Sequence, residues 1–131
     1  MLIRRVVPRR PVTDANIAAY IEERMAEAPN DPAQRGGWET SLRDSPYPDS
    51  LPAYRRIRVD RTGALWVQDY DMPGEANVSW HVFDRAGRWL SSVTVPRAWQ
   101  IQDIGHDYML VLLTNELDVE VVRKYGLTRG N

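Results

Sequence analysis

The chain contains no cysteine. That excludes disulfides, thiolate metal sites and a cysteine nucleophile. It has almost no net charge, -1 at pH 7, so no general attraction to nucleic acid or to an anionic membrane is expected. It lacks long apolar runs. The longest candidate, 108–113, is strand-sized and far below the roughly 18 residues of a membrane span. Met1-Leu2-Ile3 is followed at once by Arg4 and Arg5, with no apolar stretch of the kind an export signal needs. A soluble chain without a signal peptide is the expectation, and its compartment is left unassigned. Phosphate-binding glycine motifs, a G-x-S-x-G elbow and close histidine pairs are also missing. The last absence argues against a zinc hydrolase.

What is present is a repeated hairpin. Val59-Asp60-Arg61-Thr62-Gly63-Ala64-Leu65-Trp66-Val67 is followed by Phe83-Asp84-Arg85-Ala86-Gly87-Arg88-Trp89-Leu90. The Asp and the Gly recur at the same interval in both copies. Glycine suits a turn position at positive φ, and aspartate accepts hydrogen bonds from turn amides. Period-two apolar alternation flanks both turns and argues for strands. Strands are expected at about 54–60, 64–71, 78–84 and 88–95. They would form a four-stranded antiparallel meander of roughly 40 residues, the size of one propeller blade. A second unit follows, with strands at about 99–104, 108–114 and 119–127. Apolar residues fall on both parities of the first unit, so both sheet faces call for cover.

The pair VDRTGALWV and FDRAGRWLSSVTVP, followed by IGHDYMLVLLTNELDVEVVRKYGL, resembles the C-terminal part of bacterial six-bladed β-propellers of the NHL-like group. The resemblance covers 51–127. It implies a mainly β fold of about two antiparallel propeller-type blades. A whole six-bladed propeller needs about six such units, so completion by a homo-oligomer is expected.

The N-terminal part, 1–53, reads as a strand, a helix and a proline-rich connector; 54–131 holds the two blades. Leu2–Val7 is expected to be a strand that pairs with a free edge and is available to supply the missing fourth strand of the second unit, from the same chain or a neighbouring copy. Thr13 is a plausible N-cap for a helix over 15–28, with Ile17, Ile21 and Met25 on one face. Pro29 to Pro32 stop it. A second short helix is expected around 38–43, Gly36-Gly37 is read as a turn, and 45–52 is an extended surface crossing anchored by Tyr47 and Leu51.

For chemistry, the expected turn geometry gathers Asp71, Glu75, Asn77, Asn115, Glu116 and Asp118 at one end of the sheets. Such oxygen donors suit Ca²⁺ or another divalent metal such as Mg²⁺. Some six-bladed propeller hydrolases, of the paraoxonase and fluorophosphatase type, hold calcium on loops of that kind, which is what the resemblance adds. The plain alternative is a solvated acidic rim. His81, mid-strand, is a candidate general base or ligand, or a hydrogen-bonded interior histidine. With only His81 and His106 in the chain, no Ser-His-Asp triad is expected. Ser79 lies mid-strand, and Ser91 and Ser92 on an outer strand. Five tryptophans could stack on a small-molecule ligand, although packing is their ordinary use. Two functional readings stand together: a propeller-derived scaffold or interaction module, and a small metal-dependent hydrolase of esters, lactones or phosphotriesters with its site at a subunit interface.

Overall fold

The computed structural model describes residues 2–130. The protein is mainly β, with two antiparallel sheets and two helices. The first sheet joins β1 (Arg56–Val59), β2 (Leu65–Gln68), β3 (Asn77–Phe83) and β4 (Trp89–Pro96) in chain order. The second joins β5 (Gln100–Ile104), β6 (Tyr108–Thr114) and β7 (Glu120–Gly126), also in order. The meander expected from the repeated hairpin is therefore present, as is the three-stranded second unit.

Alternation along the strands decides which face is buried. Val78, Trp80 and Val82 of β3 join Ala64, Trp66 and Val95 on one face of the first sheet, and that face meets Ile101, Ile104, Met109 and Val111 of the second. Trp66 and Val111 are the largest fully buried side chains. At the rim of this core Trp99 stacks on Tyr125, with ring centroids 4.1 Å apart. Three of the five tryptophans thus pack in or against the core. Trp89 on β4 and Trp38 remain exposed.

Two further contacts fix how the sheets are stacked. The Arg58 guanidinium of β1 donates to the Gln102 carbonyl of β5 at 3.1 Å. The Arg61 amide donates to the Ile104 carbonyl at 3.0 Å. The turn that follows β1 therefore sits against the end of β5, with the 60–63 and 104–107 turns at one end.

The helices differ from expectation in extent. Helix α1 spans Asp14–Ala26 with Thr13 as N-cap, and Thr13 and Asn16 bond reciprocally in a capping box. Helix α2 runs over Pro32–Asp44, much longer than the expected 38–43, and it contains Gly36 and Gly37. The reason is local. Asp31 caps the Ala33 amide at 3.2 Å, and Pro32 occupies the first turn, where its missing N–H costs nothing. Pro32 thus opens a second helix just past the end of the first. Glu39 and Arg43, one turn apart, add an exposed pair at 2.8 Å.

The N-terminal segment corrects a second expectation: Leu2–Val7 forms no strand. Its attachments are made further on. The Val12 amide donates to the Asp49 carbonyl and the Leu51 amide to the Arg10 carbonyl, beside an isolated Pro11–Ser50 bridge. Pro8 and Pro11 cannot donate to a ladder, which limits any regular pairing. Tyr47 anchors the proline-rich crossing, as its hydroxyl donates to the Leu42 carbonyl at 2.6 Å and its ring meets Tyr20 edge-on. Among the described residues no helix is long and apolar enough to cross a membrane.

Candidate functional site

The hairpin turns are built alike. Asp60 Oδ1 accepts from the amides of Thr62 (2.8 Å) and Ala64 (3.0 Å). Asp84 Oδ1 accepts from those of Ala86 and Arg88, each at 2.9 Å. Asn115 Oδ1 accepts from those of Leu117 (2.9 Å) and Val119 (3.0 Å). Gly63 and Gly87 stand at φ 84° and 82°, and Asp118 holds the equivalent place at φ 58°. The 115–118 loop is therefore a third copy of the turn, with Asn in place of the leading Asp and Asp in place of Gly. That likeness was available in the sequence, but the Asn and Asp substitutions hide it.

The six proposed metal ligands fall into two groups. Asn115, Glu116 and Asp118 lie on the β6–β7 turn; Asp71, Glu75 and Asn77 lie on the β2–β3 loop and the start of β3. The buried Asp71 carboxylate is held by two arginines, Arg55 and Arg97, the latter at 2.7 Å. Burial pushes the Asp71 pKa up, but the Arg97 and Arg55 guanidinium groups outweigh it and the net shift is downward. Arg97 also makes a forked pair with Glu23 of α1 at 2.9 and 3.1 Å. Glu75 accepts from the Met72 amide at 2.9 Å. The depression around this loop, about 510 Å³, includes Glu23, Asp71, Glu75 and Arg97 in its lining and none of 115–118. Among the described residues no group of three or more His, Cys, Asp or Glu is placed to hold a metal ion.

His81 belongs to a different arrangement. Its Nδ1 lies 2.8 Å from Ser92 Oγ and its Nε2 lies 3.0 Å from Asp69 Oδ2. Three neighbouring strands position this row, with Asp69 just past the end of β2, His81 on β3 and Ser92 opposite it on β4. The register explains the short contact. The Arg97 amide bonds the Ala76 carbonyl, so Asn77–Pro96 is a non-hydrogen-bonded pair. Two-residue alternation makes Ser79–Thr94 and His81–Ser92 non-hydrogen-bonded as well, and in such pairs facing side chains are closest. The same alternation turns the Ser92 N–H to the free edge of β4. His81 is buried and Ser92 is exposed. Both line a cleft of about 560 Å³, together with Arg4, Arg5, Phe83 and Trp89. The sequence, with only two histidines, gives no expectation of a triad, and the three residues of this row share no motif. The other histidine, His106, lies in the β5–β6 turn, where its carbonyl accepts from Arg129 Nε at 2.7 Å.

The second candidate surface is the open edge formed by β7. The Leu127 amide donates to the Asp107 carbonyl and the Asn115 amide to the Val119 carbonyl, which makes Tyr108–Gly126 and Thr114–Glu120 non-hydrogen-bonded pairs. Glu120, Val122 and Lys124 therefore turn their backbone N–H and C=O away from β6. All three residues are exposed, Val122 at 62 %. No family model, no curated protein and no solved structure matches this chain.

Proposed function

We propose that this protein is an assembly module, a two-sheet unit of propeller type that associates with a second copy of itself through the β7 edge. The observation that carries this reading is the self-complementarity of Glu120-Val121-Val122-Arg123-Lys124. Two antiparallel copies centred on Val122 place Glu120 of each opposite Lys124 of the other, with Val122 facing Val122. These same residues carry the backbone donors and acceptors that point away from β6, so the Glu120–Lys124 and Val122–Val122 pairs are the hydrogen-bonded ones, alternating with Val121–Arg123. Cross-strand opposite charges and facing β-branched residues both favour the pairing. The contact uses the same patch on both copies and closes at a dimer. It also covers a bare strand edge, which otherwise invites uncontrolled association.

The partner strand then takes the place of the fourth strand that the second sheet lacks relative to the first. The packing of the two inner faces on one core, with the turn after β1 against the end of β5, supports reading the sheets as successive blades. The resemblance of 51–127 to six-bladed propellers agrees with it.

Light scattering over a concentration series tests the association. A dimer is expected, weakened by Glu120→Lys and restored by Glu120→Lys combined with Lys124→Glu. Val122→Pro removes an N–H that the protomer does not use, so it should give a folded monomer. A wild-type protein that stays monomeric at high concentration, or a Val122→Pro variant that still dimerises, overturns the reading.

A further inference from the structure

The geometry points to a hydrolytic site at Ser92, with His81 as its general base and Asp69 as the residue that orients the imidazole, acting on small carboxylic esters that carry an aromatic or apolar alcohol. This goes beyond assembly and rests on different residues.

The row meets the geometric requirement for nucleophile activation, with the nucleophile in hydrogen-bond reach of a base and the base held by a third group. Both distances fall within the usual range for such bonds. Asp69 accepts from Nε2–H and so fixes the tautomer that leaves Nδ1 with a free lone pair toward Ser92. Burial of His81 beside an exposed serine puts the base below the surface and the nucleophile at it. Two kinds of group surround them in the cleft. Arg4 and Arg5 line the cleft and give it positive charge for a developing oxyanion, and the edge-facing Ser92 amide is a further donor. The exposed Trp89 offers an aromatic surface to an apolar leaving group, and the buried Phe83 adds to the apolar lining.

The reaction balances without a cofactor. Ser92 Oγ bonds to the ester carbonyl carbon while its proton passes to His81 Nδ1. The tetrahedral intermediate collapses, the carbon–oxygen bond to the alcohol breaks, and the alcohol leaves with the proton from Nδ1. Water then attacks the acyl-serine, gives a proton to Nδ1, and the acid is released as that proton returns to Ser92. Asp69 keeps its hydrogen bond to the imidazole throughout and steadies the imidazolium.

The test uses the full chain. A fluorophosphonate probe is applied and the labelled residue is located by peptide mass, alongside turnover of p-nitrophenyl acetate. Label at Ser92 is expected. Ser92→Ala and His81→Ala should each lower kcat/KM by roughly a hundredfold or more, while Ser91→Ala leaves it unchanged. Asp69→Asn should lower kcat with KM retained, a split that a purely structural bond would not give. Labelling of the wild-type protein needs no variant to fold. An unlabelled Ser92, or turnover that survives Ser92→Ala, overturns the assignment.

Discussion

Arg129 Nη2 lies 2.7 Å from Asp60 Oδ2, joining the C-terminal segment to the first hairpin turn. The same guanidinium donates to the carbonyls of Gly105 and His106. One side chain thus ties the chain end to the leading turns of both sheets. Asp60 is the centre of this junction. Its side chain is fully buried and also accepts from Trp66 Nε1 at 2.9 Å.

Acid should release this junction. Burial alone would raise the Asp60 pKa, but bonds from Trp66, Thr62, Arg129 and Ala64 outweigh it and hold the carboxyl at about 2. A carboxyl depressed in the folded state contributes stability that is fully present above its unfolded value, near 4, and is lost as pH falls toward 2. Asp60→Asn should therefore cost roughly 2 kcal/mol at pH 7, with the difference from wild type shrinking across that window. Urea melts at pH 7, 4 and 2.5 measure it. An unchanged difference at all three would show that the charge is not what matters.

The Asp118 turn should improve on substitution. A non-glycine residue at φ 58° carries a steric cost that glycine lacks. Gly63 and Gly87 fill the same place in the sister turns. Asp118→Gly should stabilise the protein by about 1 kcal/mol, read as a higher denaturant midpoint with unchanged slope.

Helix α2 should gain from alanine. A Cβ at Gly36 or Gly37 meets nothing within 4 Å, so each Gly→Ala substitution should add about 0.5–1 kcal/mol. Thermal unfolding of the single and double variants checks it, and the two gains should not require any new contact.

Asp71 is the anion between two cations. Asp71→Asn leaves the Arg55 and Arg97 guanidinium groups without their shared charge partner. Loss of roughly 3 kcal/mol is expected, whereas Glu23→Gln, at an exposed carboxylate, should change stability by well under 1 kcal/mol. Chemical denaturation of the two variants separates them.

By itself the sequence determined the features that close within a few residues. Asp60-Arg61-Thr62-Gly63 and its copy specify tight turns, because the aspartate and the amides it binds are chain neighbours. Thr13 and Asn16 specify a helix start for the same reason. Period-two alternation marked the strands themselves, while the register of β2 on β3 set Trp66 beside Val82 on the inner face. Tertiary structure alone decided what depends on register and on distant chain. Ser92, His81 and Asp69 meet because three strands align in one register, and no short motif encodes that alignment. The acidic residues of the 71–77 and 115–118 loops look alike in sequence. The fold instead gives Asp71 to two arginines, one of them far along the chain, and commits Asn115 to its own turn amides. The Leu2–Val7 segment has the apolar pattern of a strand. Pairing requires a partner edge in reach, and that is a property of the folded molecule.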